Sequence, residues 1–124
     1  MKSSYTGIKR ILKAFNYSFE GLKAVCQTEA AFRQELLFCL ICGIILFILP
    51  IPSISRVFLI FSLFLILFME LINTAIEVII DRIGADFNPL SKKAKDIGSL
   101  LVLAAFLHFF IAAGILLLPN LFGV

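Results

Sequence analysis

The sequence predicts an all-α membrane protein, an amphipathic N-terminal surface helix followed by three transmembrane helices. Three observations lead there. Apolar runs occupy residues 36–49, 57–69 and 97–118, each closed by a proline or a polar stretch. Of 124 residues, 61% are apolar and 15% charged, more apolar surface than a soluble domain of this size can bury. The basic residues gather at one side of the resulting topology.

Residues 6–25 read as the amphipathic helix. Ile8, Ile11, Leu12, Phe15, Phe19 and Leu22 recur at steps of three and four, with Lys9, Arg10, Lys13, Asn16, Glu20 and Lys23 between them. A basic amphipathic helix ahead of a membrane segment lies in the interface. The first span is placed at 30–49, because 36–49 alone is short for a bilayer. It therefore carries Arg33, Gln34 and Glu35 on its first turns, and Pro50 and Pro52 end it before a turn at 53–55. The second span, 56–81, turns polar after Met69, and Gly84 marks its end. Ser91 is the expected cap of the third helix, whose span is 97–118 and whose stop is Pro119.

Ten of the eleven Lys and Arg residues precede the first run or lie in 82–95, and only Arg56 lies in the opposite hairpin. The N-terminus and the second loop are thus expected on the cytoplasmic side of the membrane, and the C-terminus outside. The basic start, with Lys2, Lys9, Arg10 and Lys13, has no small-residue cleavage site after it, so no cleaved secretory signal is expected. A net charge of +3 without a basic surface interleaved with aromatics argues against nucleic-acid binding. Cys39 and Cys42 have redox-like spacing, but they lie in an apolar run without partner ligands and read, with Cys26, as packing residues. His108 reads the same way.

The chemistry points to Glu70, Asn73, Glu77 and Asp81. Offsets of three, four and four place them on one helical stripe. Carboxylates at membrane depth are costly and face a bundle interior, a cavity or a metal. Asp81 is compatible with a surface position. Glu29 and Glu35 open the first span, and Lys95 and Asp96 precede the last. The topology gathers all three groups at the cytoplasmic boundary. Carboxylates from different helices suit a hard divalent cation, and Lys95, Lys13 and Arg10 suit phosphate. Such a set fits phosphoryl transfer, although no P-loop or protein-kinase glycine loop is present. Few faces of a three-span chain can hide Glu70, Asn73 and Glu77 from lipid, so a homo-oligomer is expected, with Ala75, Gly98 and Ser99 allowing close helix contact.

At these residues the sequence resembles the bacterial membrane-integral diacylglycerol kinase family over essentially its whole length, as a single domain of residues 1–124. The motifs are EAAFRQE at 29–35, ELINTAIEVIID at 70–81 with Arg82, and AKDIGS at 94–99. The second is the most specific. The resemblance implies a homotrimer that transfers the γ-phosphoryl group of ATP to diacylglycerol, giving phosphatidic acid, with Mg2+ as cofactor. It implies Glu70 as general base, supported by Asn73, and Glu29 and Glu77 as metal carboxylates. Arg10, Tyr17, Glu29, Glu77, Asp86, Phe87, Asn88, Lys95 and Asp96 fall at ATP-binding positions. Arg10, Ala14, Phe15, Asn16, Tyr17, Ser18, Phe19, Ala31, Phe32, Arg33, Gln34, Glu35, Arg56, Glu70 and Ser99 fall at lipid-substrate positions. The loop Asp86-Phe87-Asn88-Pro89 departs from the diacylglycerol pattern towards the related undecaprenol kinases, whereas EAAFRQE is the diacylglycerol type. Two other classes stay open. One is a small ion transporter with midplane carboxylates. The other is a non-catalytic assembly subunit.

Overall fold

The computed structural model describes residues 4–123, so Lys2 lies outside the described residues. Four helices follow in order: α1 Gly7–Thr28, α2 Ala30–Ile48, α3 Ser53–Ile83 and α4 Pro89–Phe122. The last three are long and apolar enough to cross a membrane, so the chain is a multi-pass membrane protein. At 31 and 34 residues, α3 and α4 are about 45–50 Å long and exceed the roughly 30 Å hydrocarbon thickness. Their polar ends therefore extend beyond the apolar layer, carrying Glu77 and Asp81 on α3 and residues 89–96 on α4.

α3 is the centre of the packing. Ser55, Leu59, Ser62, Ile66, Glu70 and Asn73 recur at three and four, all are buried, and Leu59, Ser62 and Ile66 are fully so. One stripe thus runs from apolar core into the acidic motif without a break. α4 meets it through Gly98, Ala105, Phe109 and Ala112, and α2 through Phe32, Cys39 and Leu46. The small side chains let these backbones approach closely, which matters in lipid because burial of apolar surface there gives no gain over contact with acyl chains. Phe38 ties α2 to α4, its ring 5.6 Å from Phe106 and 5.9 Å from Phe109 between centroids. Cys39 Sγ lies 3.5 Å from the Leu63 carbonyl, and all three thiols are free, as packing residues would be. His108 packs its ring 5.8 Å from Phe58.

Helix ends account for most departures from the sequence expectations. α3 begins at Ser53 rather than turning there, and the turn is confined to residues 49–52. Arg56 explains why so short a turn holds: its Nε and Nη2 donate to the Leu46 and Leu49 carbonyls at 2.8 and 2.7 Å, closing the orphan acceptors that end α2. Arg33 does the same for α1, donating to the Cys26 carbonyl at 2.7 Å. Asn88, not Ser91, caps α4. Its Oδ1 accepts from the Leu90 and Ser91 amides at 2.8 and 3.3 Å, and Pro89 takes the first helical position, where no amide is missed. Pro119 does not stop α4, which continues to Phe122 and ends at left-handed Gly123. Gly84 does end α3.

α1 meets the rest of the chain chiefly through α2, and only Val25 is buried in it. Its apolar side chains, from Ile8 at 76% to Leu22 at 47%, are exposed within one chain. Lys9 and Lys13 place their ammonium groups 4.8 and 5.4 Å from the Tyr5 ring.

Candidate active site

The acidic stripe of α3 changes environment along its length. Glu70 and Asn73 are only 5% and 9% exposed, Glu77 is half-buried, and Asp81 is exposed. The gradient follows from geometry, because α3 leaves the packed bundle as it leaves the apolar layer. Across the α2–α3 seam the Glu35 carboxyl meets that of Glu70, and Glu29 and Glu77 stand near enough to act on Glu70 electrostatically. Carboxyl groups from the start of α2 and from α3 therefore act on one another across this seam. Oε2 of Glu35 is buried without a hydrogen-bond partner, as are Oδ1 of Asn73 and Oγ1 of Thr74. Clustered carboxylates need positive charge or donors from outside the cluster, so the arrangement is built to receive them.

A second feature lies where α3 ends and α4 begins. Asp86, Phe87, Asn88, Lys95 and Asp96, all singled out from the sequence, line one cleft of about 420 Å³. Asp81, Ser91 and Lys92 share it. Lys95 Nζ is 2.8 Å from Asp81, and Lys92 Nζ is 2.6 Å from Asp96, so each basic group already faces a carboxylate. Glu77 adds to the electrostatic field at Lys95, which links the cleft to the carboxylate cluster.

Not every sequence-derived position comes to this place. Arg10, Ala14, Phe15, Asn16, Tyr17, Ser18 and Phe19 are exposed on α1 and stand apart from the cleft within one chain. Asn16 donates to Glu20 and Ser18 to the Ala14 carbonyl, both within α1. Phe32 is buried, while Ala31, Gln34 and Ser99 are exposed. Arg56 lies fourteen residues before Glu70, roughly 20 Å along the helix, with its guanidinium on α2 carbonyls. It holds the far hairpin and does not reach the carboxylates. Sequence reasoning missed that Glu35 faces Glu70, that Asp81 faces Lys95, and that Lys92 belongs to the cleft. The offset of seven between Glu70 and Glu77 located one face of α3, but nothing in the spacing of α2 says which of its faces meets that one.

Among the described residues, no three His, Cys, Asp or Glu side chains stand close enough to enclose a metal ion by themselves. One or two carboxylates completed by phosphate oxygens are the donor set that Mg2+ commonly takes, and Glu29 and Glu77, which both act on Glu70, are the carboxylates that would supply it.

The fold and site together define a small polytopic helical membrane protein with a partly buried carboxylate cluster beside a charged cleft. The sequence profile of prokaryotic diacylglycerol kinase matches residues 16–117. The chain is 46% identical over 105 residues to the diacylglycerol kinase of Escherichia coli strain K12, covering 85% of this chain and 86% of that one. It is 44% identical over 94 residues to the diacylglycerol kinase of Pseudomonas aeruginosa, covering 76% of each. For the Haemophilus influenzae diacylglycerol kinase the identity is 37% over 100 residues, covering 81% and 85%. The chain belongs to the prokaryotic diacylglycerol kinase family, and it is a kinase.

Proposed function

We propose that this diacylglycerol kinase takes its phosphoryl group from ATP and passes it to the free hydroxyl of diacylglycerol at the cytoplasmic face of the bacterial inner membrane. The observation that carries the reading is the convergence of Glu29, Glu35, Glu70 and Glu77 beside a cleft that contains Lys92 and Lys95. Carboxylates at membrane depth meet a lipid hydroxyl, and the cleft meets nucleotide.

Glu70 is the general base. It accepts the hydroxyl proton as the lipid oxygen bonds to the γ-phosphorus, and the bond to the β-phosphate oxygen breaks, its electron pair leaving with ADP. Its burial keeps it at the depth of a hydroxyl that stays anchored near the interface, and Asn73 orients it without adding charge. Glu29 and Glu77 hold Mg2+, which supplies charge neutralisation at the phosphates. Lys95 faces the phosphates, exchanging Asp81 for a stronger anion, and Asp96 with Asp86, Phe87 and Asn88 lines the nucleotide. Residues 14–19 and 31–35 and Ser99 line the lipid path, and Arg56 serves it by holding the α2–α3 hairpin.

Arg10 and Tyr17 reach nucleotide only if chains assemble, which supports a homotrimer whose α1 helices lie in the cytoplasmic interface. The loop at 86–89 carries no argument for another lipid, because Asn88-Pro89 is accounted for by capping of α4. The test is a radiolabelled-ATP assay on purified protein with diacylglycerol and undecaprenol offered separately. Label in phosphatidate supports the reading, and label confined to undecaprenyl phosphate overturns it. Mass measurement in native membranes tests the trimer, and active monomer alone would contradict it.

A further inference from the structure

Of the seven glycines, six show nothing near the place where a side chain would start, and three of these, Gly21, Gly43 and Gly114, lie in helix interiors. Gly98 differs. It is buried inside α4 with ordinary helical backbone, so no left-handed conformation calls for glycine there. A Cβ at this position would collide with Oδ1 of Asn73, and it would also touch Ile76 Cδ1 at 3.5 Å. Glycine is the poorest helix former after proline, so its presence in mid-helix calls for a reason of space. The space is filled by one polar atom, and that atom belongs to the acidic stripe.

We propose that Gly98 is a positioning residue for phosphoryl transfer: its bare backbone seats the Asn73 carboxamide oxygen against α4 and so fixes Asn73 beside Glu70. The inference rests on the reading above, in which Asn73 orients the base. Asn73 is nine-tenths buried and its Oδ1 has no hydrogen-bond partner, so packing rather than hydrogen bonding decides where that oxygen lies. Once the oxygen is seated on α4, the amide nitrogen is the group left for the carboxylates of its own stripe, Glu70 and Glu77, one turn away on either side. A methyl group at position 98 displaces the far end of a side chain and no backbone, so the chain refolds around it while Asn73 swings. Misplacement on the scale of 1 Å costs on the order of tenfold to a hundredfold in turnover.

The experiment is a double-mutant cycle on the full-length protein with Gly98→Ala, Asn73→Ala and the double variant. Turnover, ATP KM, thermal unfolding and oligomer mass are measured on the same preparations. Gly98→Ala is expected to lower kcat at least tenfold with ATP KM within about twofold of the parent, and the double variant to be no slower than Asn73→Ala alone. Since alanine is the better helix former, weakened helix propensity cannot produce that loss. Parent-like kcat in Gly98→Ala, or losses that multiply in the double variant, overturns the proposal. If Gly98→Ala does not fold, the double variant does so when the collision is with Asn73, and its failure to fold also overturns it. Loss in Asn73→Ala with none in Gly98→Ala removes Gly98 alone, whereas parent-like turnover in Asn73→Ala removes Asn73 from the site and the proposal with it.

Discussion

Lys95 and Asp81 join α4 to α3 through an ion pair of 2.8 Å in the wall of the cleft. Both side chains are well exposed, at 41% and 69%, so solvent screens the pair and it adds little to stability. On the function proposed above, it holds an ammonium group where phosphate would arrive. Lys95→Ala is expected to raise the ATP KM on the order of tenfold, the loss of one charge-assisted hydrogen bond, without a change in unfolding temperature. Asp81→Asn should leave turnover near the parent value. Steady-state kinetics in mixed micelles with a thermal melt of each variant checks both.

Glu70→Gln keeps the size of the side chain and removes the proposed base. Nucleotide binding and oligomer mass are expected to persist while lipid phosphorylation falls by at least the roughly 100-fold of a lost general base. ATP affinity and turnover measured on one preparation decide it. Near-parent turnover would make Glu70 structural.

Glu29→Gln and Glu77→Gln remove one carboxylate each from the pair assigned to Mg2+. Turnover is expected to fall almost to nothing, with the residual activity needing a much higher Mg2+ concentration for half-saturation. A Mg2+ titration at saturating ATP gives the answer, and an unshifted midpoint at full rate would reassign both residues.

Arg56→Ala removes two donors from the carbonyls that end α2. The hairpin is expected to lose about 2 kcal/mol, in the range for hydrogen bonds to a charged group, with Arg56→Lys recovering only part because one ammonium cannot copy the fork. Denaturation in detergent reads the loss. The loss should precede any effect on ATP KM, since Arg56 and the cleft lie at opposite ends of α3.

Asn88→Ala strips the side-chain cap from α4 and is expected to cost about 1 kcal/mol. Asn88→Asp should retain most of the stability, since its carboxylate accepts the same two amides. If Asn88 contacts nucleotide as well, Asn88→Ala raises ATP KM beyond what its melt explains.

The sequence by itself determined the three spans and the acidic stripe. These are one-dimensional properties: hydropathy summed along a segment and side chains repeated at helical spacing. The α3 motif was readable for the same reason, because Glu70, Asn73 and Glu77 share a face whatever the helix packs against. Capping was read less well. Ser91 and Asn88 are both good cap residues, and only the position of the first turn decides between them. Pro119 was expected to stop α4, but the helix passes through it, with Asn120 donating to the Leu116 carbonyl one turn below. Tertiary structure alone decided which faces meet. Glu35 opposite Glu70, Lys95 opposite Asp81, Arg56 over the end of α2 and Asn73 against Gly98 all join residues whose separation in sequence obeys no period. Their meeting depends on the rotation of each helix about its own axis, which is set by small residues at the contacts and by the length of the turns, and no single helix encodes it.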